Sequence, residues 1–62
     1  MKYKCIGNTN KFTGATSDYL TVGKVYDFDM LDDDFGTTEG DIGNEVLENL
    51  TKQYHAQWEK VE

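Results

Sequence analysis

The opening segment "KYKCIGN" (residues 2–8) alternates, with Tyr3 and Cys5 on one side and Lys2 and Lys4 on the other. A period of two predicts a half-buried β-strand. A second apolar phase runs through "LTVGKVYDF" (20–28) into Met30, on Leu20, Val22, Tyr26, Phe28 and Met30. Gly23 and Lys24 interrupt it. A glycine beside a charge inside a strand marks a bulge or sharp bend. The pattern therefore predicts a strand over 20–30 that turns a corner at Gly23-Lys24, with apolar positions on both sides facing inward and the Lys24 ammonium in water. In "DIGNEV" (41–46), Gly43-Asn44 reads as a two-residue hairpin turn. Ile42 and Val46 then lie on the flanking strands, within an extended stretch over 41–48.

The remaining segments are less regular. Residues 8–18, "NTNKFTGATSD", are a long loop rich in Asn, Thr, Ser and Gly. Residues 31–40, "LDDDFGTTEG", read as an acidic turn region. The C-terminal stretch carries two readings. Leu47, Leu50, Tyr54, Trp58 and Val61 recur at three- and four-residue spacing, which fits an amphipathic helix over 46–61. The competing reading is a strand at 45–49, one helical turn near 51–55, and a short last strand at "WEKV", since Tyr and Trp suit strands equally well.

Length and composition narrow the picture. Sixty-two residues make one domain, 1–62, near the lower limit for folding alone. Eight aromatic residues supply large buried area for so short a chain. The single cysteine, Cys5, can form no internal disulfide and no zinc site with the single histidine, His55. Cys5 reads as a small buried hydrophobe on a strand. No run is apolar enough to span a membrane, and "MKYKCIGNTNK" lacks the apolar core of a signal peptide. A cytoplasmic location is expected.

Charge changes the picture most. The net charge is −6. From Asp27 to Asn49 there are nine acids and no base, while four of the six lysines precede Asp27. Binding to nucleic acid depends on cations that displace counterions from phosphates, so direct nucleic-acid binding is not expected. A protein partner with a basic surface is.

No residue set points to a reaction. Cys5 and His55 offer nucleophile and base types, but a domain of this size offers little concave volume. His55 reads as a surface residue of the last turn. "DDDFGTTEGD" invites a calcium loop, but counting from Asp32 puts Thr37 where the sixth-position glycine belongs and Gly43 where the twelfth-position glutamate belongs. No catalytic, cofactor-binding or metal site is expected. A metal-stabilised structural module is the third alternative.

The order of motifs carries a resemblance. "KYKCI", then "YLTVGKVYDF", an acidic turn, "GDIGNEV" and a closing "WEKVE" together resemble small single-domain proteins encoded by bacteriophages and prophages, with "LTVGKVY" the most specific part. The resemblance implies an all-β fold, a small five-stranded Src-homology-3-like barrel with one short helical turn near the C-terminus. It favours strand–turn–strand at the C-terminus over the α+β alternative of an antiparallel sheet with helix 46–61. It also implies a non-enzymatic protein that binds a host or defence protein in the host cytoplasm. The expected interaction face is Asp32, Asp33, Asp34, Glu39, Asp41 and Glu45. An alternative is a nucleic-acid mimic that occupies a basic nucleic-acid-binding site.

Overall fold

A computed structural model describes residues 1–62. The chain is all-β: β1 (Lys2–Gly7), β2 (Val25–Asp27), β3 (Asp29–Met30), β4 (Phe35–Glu39), β5 (Glu45–Asn49) and β6 (Gln57–Lys60). Two antiparallel three-stranded sheets form, in the orders β2-β1-β6 and β3-β4-β5. The all-β expectation is met. The expected five-strand barrel becomes six short strands, and no ladder closes the two sheets into one barrel.

The C-terminal helix does not form. Leu47, Tyr54 and Val61, three of its five pattern positions, are exposed. Val46, Glu48 and Leu50 face inward instead, at the period of a strand. After β5, Gln53 N–H donates to Asn49 O (2.8 Å), which makes the single helical turn, and β6 follows. No helix is long and apolar enough to cross a membrane.

The core holds Cys5, Leu20, Tyr26, Phe28, Val46, Leu50, Ala56 and Trp58, with Tyr3, Tyr19 and Met30 packed against it. Trp58 meets Phe28 and Tyr26 edge-on, at ring-centroid distances of 4.9 and 5.6 Å. Tyr3 meets Phe28 in the same way at 5.5 Å. Such edge-to-face pairs add to burial, by about 0.5–1.5 kcal/mol each.

The segment 20–30 differs from expectation. Thr21–Lys24 is a turn, closed by Lys24 N–H to Thr21 O (3.1 Å), and Gly23 sits at φ +95°. That left-handed backbone is why a glycine stands there. Val22 points to solvent rather than inward. The chain crosses between the sheets at Phe28, between β2 and β3, and Phe28 N–H is satisfied by Met1 O (2.7 Å). Both Gly23 and Phe28 thus mark bends, but only the second carries the chain from one sheet to the other.

Two further segments are corrected. Only 31–34 of the acidic stretch is a turn, and β4 fills 35–39. Gly36 sits mid-strand because a Cβ there would lie 3.0 Å from Met30 Sδ and 3.2 Å from the Phe28 ring. The β4–β5 hairpin turns over Gly40–Gly43, with Gly43 N–H donating to Gly40 O (2.9 Å). Ile42 is therefore exposed in the turn, not on a strand. The 8–18 loop folds back on itself through a Thr9–Thr16 bridge and lays Phe12 on Tyr54 (4.9 Å).

Candidate functional site: an acidic sheet face

The outward face of the β3-β4-β5 sheet is set by register. Asp29 pairs with Thr37, and Thr37 with Leu47. One row away, Glu39 pairs directly with Glu45. On the other side, Phe35 pairs with Asn49, and Leu31 N–H donates to Phe35 O (2.8 Å). The face is therefore acidic at one end and apolar at the other, where Leu31, Phe35 and Leu47 are exposed.

An open groove of about 580 Å³ lies at the acidic end, lined by Asp27, Asp29, Glu39 and Glu45 together with Thr, Asn and Gly residues, and by no hydrophobic side chain. Small-molecule pockets are mostly apolar and enclosed, so this groove suits a cationic surface better than a substrate. The ion pairs of the chain join the Met1 ammonium to Asp27, Lys24 to Asp41, and His55 to Glu48. Asp29, Glu39 and Glu45 have no cation within ion-pair distance.

The six acids expected to form one face separate into three groups. Glu39 and Glu45 belong to the groove. Asp32 and Asp34 shape the β3–β4 turn: Asp32 Oδ1 accepts from Asp34 N–H (2.7 Å) and Phe35 N–H (2.8 Å), and these bonds, that from Phe35 foremost, lower its pKa. Asp34 Oδ1 accepts from Thr51 Oγ1 (2.7 Å). Asp33 is exposed in the same turn. Asp41 is committed elsewhere. It accepts from Lys24 Nζ (2.7 Å), Thr21 Oγ1 (2.6 Å) and Tyr26 OH (2.9 Å). The Lys24 bond first, then Thr21, holds its carboxyl down to about 2. Lys24 is exposed, as expected, and also pairs with Asp41, whose hydrogen bond raises the Lys24 pKa. Asp27 and Asp29 join the groove and were not among the expected residues. Their place at the β2–β3 crossing is a tertiary fact with no local signal.

A second polar cluster lies under β5. Glu48, 1% exposed, accepts from Trp58 Nε1–H (3.0 Å) and meets His55 Nδ1 at 2.5 Å. Ser17 Oγ (2.9 Å) and Tyr19 OH (3.1 Å) both reach His55 Nε2. His55 is therefore a half-buried part of the structure, not a free surface residue. Nδ1 thus lies on the Glu48 carboxyl and Nε2 faces the two hydroxyls.

The order serine, histidine, acid is that of a nucleophile–base relay. Here, however, Ser17 is buried, its own N–H is given to Asn8 O (2.9 Å), and neither surface groove touches the cluster. The cluster satisfies Glu48 and ties β5 to β6. Cys5, the other candidate nucleophile, is fully buried with Sγ on Gly7 O (3.5 Å), and burial raises its pKa. No three His, Cys, Asp or Glu side chains converge to hold a metal ion.

No protein-family model, no curated protein and no solved structure matches this chain.

Proposed function

We propose that the protein is a non-enzymatic binding module whose outward β3-β4-β5 face takes a protein partner with a basic surface. One observation carries this reading: Glu39 stands directly across from Glu45, with Asp29 on the same face, and none of the three has a cation. Like charges directly opposite on a sheet oppose folding. Folding alone gives no reason to gather them, whereas a cationic partner neutralises them. The neighbouring Leu31, Phe35 and Leu47 supply apolar area, which a basic but otherwise uncharged groove-filler would not need. The resemblance to phage- and prophage-encoded barrels supports a host-encoded partner in the bacterial cytoplasm.

The test is a comparison of wild type with the Glu39→Gln/Glu45→Gln variant. Partners are captured from bacterial lysate at low and high salt, and association rates are then measured with the captured protein. The variant is expected to associate roughly tenfold more slowly at low salt, because exposed charges steer encounter. The difference should shrink at high salt. Equal association rates at low salt would refute the reading. Displacement of the module by DNA would place its contact on the partner's nucleic-acid site, which is the mimicry form of the same reading.

A further inference from the structure

Gly40 N–H donates to Asn44 O (2.8 Å), and Leu50 N–H donates to Asp34 O (2.7 Å). These bonds close the two ends of the β4–β5 ladder and fix its phase. Thr38–Val46 and Gly36–Glu48 are the hydrogen-bonded pairs, whereas Glu39–Glu45 and Thr37–Leu47 are the non-bonded ones. The N–H and C=O groups of Glu45 and Leu47 therefore point away from β4. No strand pairs with β5 on that side, and no hydrogen bond within the chain satisfies those groups.

The other sheet edges are blunted. Gln53 lays its side-chain amide along β6, with Oε1 accepting from Trp58 N–H (3.2 Å) and Nε2 donating to Trp58 O (3.0 Å). On β2, Asp27 O accepts from Thr38 Oγ1 (2.7 Å). β3 is two residues long. Natural sheets protect edges with charged side chains, inward-pointing charges, proline, bulges or covering side chains. β5, "EVLEN", has no proline or bulge, and its charges, Glu45 and the inward-pointing Glu48, are both acids, which deter an acidic strand but not a basic one.

We propose that the partner adds an extended segment to this edge, as a fourth strand beside β5, bonded through the main chain of Glu45 and Leu47. The proposal rests on the acidic-face reading and specifies its mode. Side chains of Glu45 and Leu47 flank the edge on the outward face. An antiparallel added strand then places an apolar residue opposite Leu47 and, two positions later, a Lys or Arg opposite Glu45. Leu31 and Phe35 extend the apolar side, and Glu39 and Asp29 extend the acidic side. The occupant is a basic, alternating segment of another protein. A second copy of this chain is disfavoured, since β5 carries only acids as charges and the net charge is −6.

The probe is a blocked synthetic peptide repeating Val-Thr-Lys-Thr, compared with the same peptide N-methylated at every Val and Lys. N-methylation removes the donors that face β5 and leaves side chains and charge. Binding of the unmethylated peptide is expected to slow amide exchange at Glu45 and Leu47, and methylation to weaken affinity about tenfold or more. Leu47→Pro removes only an outward-facing N–H, so the ladder to β4 keeps its bonds. It should bind the peptide more weakly than Leu47→Ala. Strand addition is overturned if both peptides bind equally, if exchange at Glu45 and Leu47 is unchanged in the complex, if neither peptide binds, or if the chain dimerises through β5. Equal binding that still falls in Glu39→Gln/Glu45→Gln leaves the acidic-face reading standing. Binding insensitive to both changes removes the two together.

Discussion

The two sheets treat charge in opposite ways. In β2-β1-β6, the register sets Lys2 across from Asp27 and Lys4 across from Glu59. In β3-β4-β5 it sets Glu39 across from Glu45, and that sheet holds no lysine. The contrast extends to the edges. Side chains of Gln53 and Thr38 cover main-chain groups on the first sheet, while the β5 edge is uncovered. One sheet is arranged for self-sufficiency. The other keeps its charge and its edge unsatisfied, which is where a partner adds most.

The largest expected effect comes from a buried bond that joins the two sheets. Glu48 belongs to β5 and Trp58 to β6, and the Trp58 Nε1–H bond to Glu48 spans them. Glu48→Ala strips an acceptor from both Trp58 and His55 and leaves a cavity. The orphaned buried Trp58 donor costs about 1–3 kcal/mol, with the lost packing of Glu48 in addition, against roughly 3–5 kcal/mol of stability for a domain of this size. The variant is expected to be largely unfolded at 25 °C, read as a red shift of Trp58 fluorescence. A cooperative unfolding curve close to wild type would mean the sheets dock without this bond.

A smaller effect tests an acid near the groove that is already paired. The Asp41 carboxyl, at about 2, lies below the unfolded value of about 3.9. Its contribution is therefore complete above about pH 4 and disappears as pH falls toward 2. Thermal melts should show wild type more stable than Asp41→Asn at pH 6, with the gap closing between about pH 4 and pH 2. A gap independent of pH would mean that the charge of Asp41 is irrelevant.

These two positions also show what the sequence made legible. Alternation located β1 and the inward phase of Tyr26 and Phe28, because burial on one face writes a period of two; the last strand around Trp58 was favoured only through the resemblance, since the spacing of 47–61 fits a helix. β4 was hidden because its sequence is Phe-Gly-Thr-Thr-Glu, with a glycine that tertiary packing against Met30 and Phe28 requires. Glu48 and His55 gave no signal. A charged residue inside a run of acids reads as surface, and only the fold shows that it meets an indole and an imidazole. The acidic half was visible as a charge run. Its division into turn-forming Asp32 and Asp34, paired Asp41, and unpaired Asp29, Glu39 and Glu45 depends on pairings between distant segments.

The smallest expected change makes the second sheet resemble the first. Glu45→Lys sets opposite charges across β4 and β5 where like charges now stand. Cross-strand pairs are worth roughly 0.2–1 kcal/mol, and a kilocalorie shifts Tm by about 4–8 °C in so small a domain. A gain of roughly 1–8 °C is expected, measured by calorimetry. An unchanged or lower Tm would show that the Glu39–Glu45 pair carries no repulsion.

The central place of β1 has a consequence for how the chain reaches its folded state. β1 pairs with β2 on one side and with β6 on the other, and Cys5 stands opposite Trp58. Contacts between the first and last strands are about as distant in sequence as this chain allows, and such contacts slow folding because a long loop must close before they form. During synthesis, β1 emerges first and waits for residues 57–60 before its second edge is covered. Until then the apolar side of "KYKCI" has no Trp58 to pack against, so the protein is expected to complete folding only after its last strand has left the ribosome.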